Sequence, residues 1–100
     1  MRNSFGLPER TVNELLEFFK KKAEIQKVII YGSRAKGTYK NGSDIDFAIW
    51  SDKETLSGIS LELDELPTPY MFDIINYKTL THDKLKNNID NEGKVFYLRK

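Results

Sequence analysis

The sequence predicts one small domain of the α/β (α+β) class, in which helices pack against a mixed β-sheet of about four strands. Three observations support this prediction. The chain has 100 residues, and a chain of that length forms one hydrophobic core rather than two. Its hydrophobic period changes repeatedly between helix-like and strand-like spacing. These segments follow one another without an internal repeat, so residues 1–100 are expected to form a single domain.

The first part of the chain predicts a helix followed by two strands. Pro8 suits a first helical turn, and apolar residues then recur at three- and four-residue steps. Residues 27–31 form a β-branched run that Gly32 ends, which predicts a buried strand. Alternating polar and apolar residues over 44–50 predict the second strand. The apolar residues of the helix are Val12, Leu15, Leu16, Phe19 and Ala23.

The second part of the chain predicts two more helices and two more strands. Apolar residues recur at helical spacing over 56–66, and the helix that they indicate ends before Pro67. Residues 71–77 predict the third strand. Thr81 suits the N-cap of a short last helix. Residues 94–98, the last apolar run of the sequence, predict a fourth strand.

The composition excludes several classes of site. The 16 Lys and Arg residues against 15 Asp and Glu leave a net charge of +1, far from the basic excess of a dedicated nucleic-acid binder. Cys is absent and His82 is the single histidine, which excludes disulfides, thiolate catalysis, Cys/His zinc sites and Ser-His-Asp triads. Any metal must therefore be held mostly by oxygen. Without a signal-peptide pattern or a long apolar run, a cytoplasmic protein with no membrane partner is expected.

Three aspartates are the candidate catalytic residues. Asp44 and Asp46 share one face of the second predicted strand, because side chains alternate along a strand. Their mutual repulsion would be relieved by Mg²⁺, which binds carboxylates together with substrate phosphates. Asp73 is the one charge in the apolar third strand, and it can join the pair if the two strands are neighbours. The alternative is that these residues lie on solvated strand faces.

A candidate phosphate-binding turn precedes the aspartates. Gly32 and Ser33 follow a buried strand, where backbone N–H groups can approach a phosphate without interference from a Cβ atom. Arg34 and Lys36 add positive charge nearby. The P-loop pattern is missing. The turn is a candidate phosphate site because it precedes the Asp-x-Asp strand.

These motifs resemble the signature of a known enzyme superfamily. Gly32 and Ser33, ten further residues, and then Asp44 and Asp46 resemble the G-S-x10-D-x-D signature of the DNA polymerase β nucleotidyltransferase superfamily. The stretch G-S-R-A-K-G-T-Y-K-N-G-S-D-I-D-F-A-I is similar to the small stand-alone members called minimal nucleotidyltransferases. The resemblance implies a nucleotidyltransferase palm fold for most of the chain.

The resemblance also implies cofactors and site residues. Asp44, Asp46 and Asp73 would be the catalytic ligands of Mg²⁺, with two ions expected during catalysis, and ATP would be the substrate. Gly32 and Ser33 would contact the nucleotide phosphates. Two further matches to the motif, Arg34 and Lys36, are expected near the phosphates.

The family resemblance implies a partner as well. Minimal nucleotidyltransferases are often encoded beside a helical HEPN-domain protein, and in several such toxin–antitoxin pairs AMP is transferred to a tyrosine of the HEPN toxin. We therefore expect transfer of AMP from ATP to a partner's hydroxyl group. Two alternatives remain open: the same chemistry on a small molecule, which a homo-oligomer could help to bind, or a non-catalytic nucleotide-binding module that neutralises its partner by covering it.

Overall fold

The computed structural model describes residues 5–40, 42–53 and 56–100. It confirms the predicted mixed α/β fold with a four-stranded sheet. None of the helices in these ranges is long and apolar enough to cross a membrane. In chain order the elements are α1 (Glu9–Lys20), β1 (Ile25–Tyr31), α2 (Ser33–Lys36), β2 (Ile45–Ser51), α3 (Ser57–Asp64), β3 (Phe72–Asn76), a 3₁₀ turn (Tyr77–Thr79), α4 (Asp83–Glu92) and β4 (Lys94–Leu98).

The sheet has the strand order β3-β2-β1-β4. β1 is antiparallel to both β2 and β4, whereas β2 and β3 are parallel. A parallel pair needs a crossover connection, and α3 lies in the connection between β2 and β3. The beginnings of β2 and β3 and the end of β1 therefore meet at the same end of the sheet.

Two apolar clusters cover the two faces of the sheet. The larger cluster covers one face. There, Phe19 of α1 packs edge-on against Phe47 of β2, with 5.3 Å between ring centroids. Both side chains are fully buried, and burying a side chain of this size stabilises the fold by about 2–3 kcal/mol. α4 contributes to the cluster on the other face. That cluster consists of Ile29, Tyr31, Ala48 and Ile89.

The observed boundaries differ from the predicted ones at several points, among them α1, α4 and β3. α1 ends before Ala23, which is exposed. The prediction of Thr81 as the N-cap of α4 is wrong, because His82 has that position and its Nδ1 accepts the backbone N–H of Leu85 at 3.1 Å. β3 ends at Asn76, whose side chain accepts a backbone N–H of the following 3₁₀ turn.

Arg99 links the end of the chain to the end of α1. Its Nε donates to the carbonyl of Ile25 at 2.8 Å, and its Nη2 donates to the carbonyl of Lys22 at 2.6 Å. The same Nη2 donates to the carbonyls of Phe19 and Lys20 at 3.4 and 3.3 Å. Carbonyls at the end of a helix have no partner within the helix, so the guanidinium satisfies groups that otherwise need water.

We expect Arg99→Ala to lower the free energy of unfolding by about 2 kcal/mol, because it removes charged hydrogen bonds to several carbonyls. Urea unfolding followed by circular dichroism measures the change. Arg10→Ala is the matched control, since Arg10 is exposed and its 3.7 Å pair with Glu14 is a surface ion pair, which contributes at most about 0.5 kcal/mol. Equal stability of both variants would contradict the proposed link.

Candidate active site

A tight turn after β1 carries the predicted phosphate-binding pair. Gly32 has φ +76° and ψ −152°, a backbone conformation that only glycine adopts readily. A Cβ atom at this position would also collide with Oδ2 of Asp46. Ser33 follows as the first residue of α2. The sequence therefore needs glycine here both for the turn and for the close approach of the aspartate.

Three carboxylates lie at this end of the sheet. Asp46 and Asp73 are direct partners across the parallel strands β2 and β3, which lie about 4.8 Å apart in a sheet. Asp44 is two residues before Asp46, immediately outside β2. Asp46 is half-buried, whereas Asp44 and Asp73 are exposed. The structure thus brings together the three acidic residues that the sequence singles out.

The electrostatics of the site reflect this crowding. Burial, followed by the negative charges of Asp73 and Asp44, raises the pKa of Asp46 from its ordinary value of 3.8 to about 6, and the positive charge of Arg34 acts in the opposite direction. Burial and the charges of Asp73 and Asp46 raise the pKa of Tyr31 to about 12. The Tyr31 phenol is therefore neutral at pH 7 and can donate a hydrogen bond beside the carboxylates.

The carboxylates fit a divalent cation that a substrate also helps to hold. In the described part of the chain, no three acidic or histidine side chains are arranged as a ready cage for a metal ion. Mg²⁺ does not require such a cage, since it is commonly bound by one or two carboxylates together with substrate phosphates. Asp46 and Asp73 could supply hard oxygen ligands to such an ion, and a cation there would offset their mutual repulsion.

The two basic residues of the motif have different surroundings. Lys36 is about half exposed, and its Nζ lies 3.9 Å from Oε1 of Glu92 at the end of α4. Arg34 is only 3 % exposed, and its guanidinium donates to the backbone carbonyls of Ser43 and Phe5. Lys36 is therefore available to a ligand at the surface, whereas Arg34 belongs to the interior.

Sequence reasoning missed Tyr31 as part of the site. Tyr31 is the direct partner of Asp46 across the antiparallel strands β1 and β2, and it is 8 % exposed. In the sequence it is the last residue of an apolar run, which indicates only burial. Its position immediately before Gly32 was the one sign in the sequence that it could belong to the site. The register of β1 and β2 was needed to place it beside Asp46.

We expect Asp46→Asn to stabilise the protein at pH 7–8 when divalent cations are removed with EDTA. The raised pKa of Asp46 means that the wild-type fold loses stability as the pH rises from about 4 through 6, because the carboxyl group ionises in an unfavourable place. The asparagine does not ionise. Because Asp46 is partly exposed, we expect a gain of only about 1 kcal/mol at pH 7–8 and none near pH 4.

Urea unfolding at pH 4, 6 and 8 measures this difference. Asp64→Asn is the control, since it makes the same chemical change at an exposed residue at the end of α3. A wild-type protein that gains stability relative to Asp46→Asn between pH 4 and 8 would contradict the electrostatic account.

Comparison with known families finds one family whose model matches most of the chain. The sequence model of the family described as "Polymerase beta, Nucleotidyltransferase" matches residues 13–100, which include the turn, the three carboxylates and all four strands. No curated protein matches the chain significantly.

The fold resembles that of several solved structures, among them the following three. "Crystal structure of the toxin-antitoxin with AMP-PNP" has a TM-score of 0.66 and 17% identity, covering 89% of this chain and 74% of that chain. A crystal structure of the toxin–antitoxin MntA-HepT has a TM-score of 0.60 and 14% identity, covering 92% and 74%. A tri-AMPylated Shewanella oneidensis HEPN toxin in complex with MNT antitoxin has a TM-score of 0.60 and 14% identity, covering 91% and 72%. At these identities the likeness is one of fold.

Proposed function

We propose that this chain, which belongs to the polymerase β nucleotidyltransferase family, transfers AMP from ATP to a hydroxyl group of a partner protein. The observation that carries the proposal is the register that makes Asp46 the partner of Asp73 while Asp46 also lies against the Gly32 turn. This arrangement puts candidate cation ligands beside a candidate phosphate-binding turn. We further propose that residues 1–100 act as one nucleotidyltransferase domain.

The three aspartates have the catalytic roles in this proposal. Asp44, Asp46 and Asp73 would hold Mg²⁺ together with phosphate oxygens of ATP. When bound, two Mg²⁺ ions supply positive charge that offsets the charge developing on the phosphates and lowers the pKa of the acceptor hydroxyl. Asp73, which is exposed, accepts the proton of that hydroxyl. The acceptor oxygen bonds to the α-phosphorus, the bond from that phosphorus to the bridging oxygen breaks, and pyrophosphate leaves.

The turn after β1 binds the phosphates in this proposal. The backbone N–H groups of Gly32 and Ser33 and the Ser33 hydroxyl are the proposed donors of this turn, which lies against Asp46 at Gly32, and such donors stabilise phosphate charge. Lys36 lies at the end of α2, and the one ion pair that its ammonium group makes with the described residues is the 3.9 Å pair to Glu92. A surface pair of this kind is weak, so the ammonium group can move to the β- or γ-phosphate of a bound nucleotide.

The proposed acceptor is a tyrosine of a HEPN-domain partner. Support comes from the fold, which is shared with MNT antitoxins in complex with HEPN toxins, one of them AMPylated. Further support comes from the openness of the site, because Asp44 and Asp73 are both exposed. A macromolecular acceptor can therefore reach the carboxylates, and its own surface can complete the site.

Label transfer tests the proposal. The protein is incubated with ATP labelled at the α-phosphate, Mg²⁺ and the HEPN-domain protein encoded nearby, or host lysate if there is none. We expect label on one discrete protein, and the control variant Asp46→Asn should abolish it. Tight binding of the partner without label would instead indicate a module that neutralises by covering. The absence of both label and partner would direct the search to small-molecule acceptors.

A further inference from the structure

Arg34 joins the phosphate-binding turn to the segment that leads into the carboxylates. Its side chain is 3 % exposed although it carries a permanent charge, and a buried charge is costly unless its donors are satisfied. Nε and Nη2 donate to the carbonyl of Ser43 at 3.2 and 2.8 Å. Ser43 immediately precedes Asp44, so this forked pair of bonds connects α2 directly to the start of the Asp-x-Asp segment.

Two further contacts extend the connection to other parts of the chain. Nη1 of Arg34 donates to the carbonyl of Phe5 at 3.0 Å, which attaches the N-terminal segment. The guanidinium lies 5.3 Å from the ring centre of Tyr39 and 5.0 Å from that of Tyr70. Guanidinium groups bind aromatic faces favourably at these distances.

The contact with Tyr70 brings the third carboxylate strand into the same arrangement. Tyr70 precedes Met71, whose carbonyl accepts the backbone N–H of Ile45 at 2.9 Å. This bond begins the pairing of β2 with β3, in which Asp46 and Asp73 are partners. Arg34 therefore contacts the residues that introduce both of the strands carrying the carboxylates.

We infer that Arg34 is a positioning residue of the nucleotidyltransferase site, which holds the phosphate-binding turn and the two carboxylate strands at a fixed distance and does not itself bind phosphate. The inference rests on the proposed function. The motif alone predicts Arg34 near phosphate, but its donors point to protein carbonyls in the structure. A planar fork is required for these bonds, and lysine has the charge without the fork.

Arg34→Lys distinguishes a residue that positions the site from one that binds phosphate directly. If Arg34 positions the site, the lysine variant should lose roughly 100-fold in kcat, the size of effect expected when reacting groups are displaced by about 1 Å. The KM for ATP and the Kd for AMP-PNP should change by less than about threefold, because the proposed phosphate donors are intact. Lys36→Ala should behave in the opposite way, with a higher KM for ATP and a smaller loss of kcat.

Amide hydrogen exchange provides a readout that does not depend on activity. We expect Arg34→Lys to increase exchange at residues 42–46 while the centre of β1 and the region around Arg99 remain as protected as in the wild type. Tyr70→Leu removes one ring from the guanidinium and should give a weaker change at the same amides. It serves as the second variant if Arg34→Lys does not fold. Arg10 is an exposed residue on α1, so Arg10→Ala should change neither exchange nor kcat.

Each outcome decides between the two roles. A raised KM and Kd in Arg34→Lys with kcat unchanged would overturn the inference and make Arg34 a phosphate ligand. Exchange that increases equally across the whole sheet would also overturn it, since the side chain would then serve only general stability. If the wild-type protein transfers no nucleotide, the proposed function fails, and local exchange together with AMP-PNP affinity still decides whether Arg34 positions the site.

Discussion

Asp46→Asn is expected to lower nucleotidyl transfer by at least about 1000-fold while the fold stays intact. The substitution keeps the size of the side chain but removes the negative charge of a proposed ligand of Mg²⁺. Asp46 is the central member of the site, because it is the strand partner of Asp73, lies near Asp44 and touches the Gly32 turn. An amide at this position binds a hard cation much less well than a carboxylate.

The measurement is the rate of label transfer from α-labelled ATP at saturating Mg²⁺, with circular dichroism to confirm the fold. Asp64→Asn is the matched control, since it makes the same chemical change at an exposed position on α3, and it should retain the wild-type rate. Transfer by Asp46→Asn at a rate within tenfold of the wild type would exclude Asp46 from the catalytic role. Raising the Mg²⁺ concentration should recover only a small part of the activity.

Gly32→Ala is expected to lower transfer by roughly 100-fold and to destabilise the protein by about 1–3 kcal/mol. Its backbone lies at φ +76° and ψ −152°, where an L-residue is strained by about that amount. The added methyl group would also meet Oδ2 of Asp46. Either the turn or the carboxylate must move, and a displacement of about 1 Å at the reacting groups is enough for a loss of this size.

Gly37→Ala separates backbone strain from displacement of the site. Gly37 also has a positive φ, at +84°, but a Cβ atom there would meet nothing within 4 Å. We expect Gly37→Ala to cost about 1 kcal/mol of stability with little change in the rate of transfer. Thermal unfolding and label transfer are measured on both variants. If the two glycine variants lose activity equally, the contact between Gly32 and Asp46 has no role in catalysis.

Much of the fold was predictable because its signals are local. The apolar spacing of the helices and the alternation in β2 reflect which residues face the core, and this depends only on the period of each element. The four strands and the three longer helices were therefore predicted in the right order. α2 was not, because a helix of four residues is too short to show a period.

The candidate residues were also visible in the sequence, but their relations were not. The sequence by itself determined the four strands, the glycine turn and the aspartates that are the candidate ligands, since each depends on residue type and local spacing. Only the tertiary structure decided that Asp46 is the partner of Asp73, that Tyr31 lies beside them, and that Arg34 is buried against Ser43. Strand order and register are set by how separate segments pack together, and no local pattern encodes that packing.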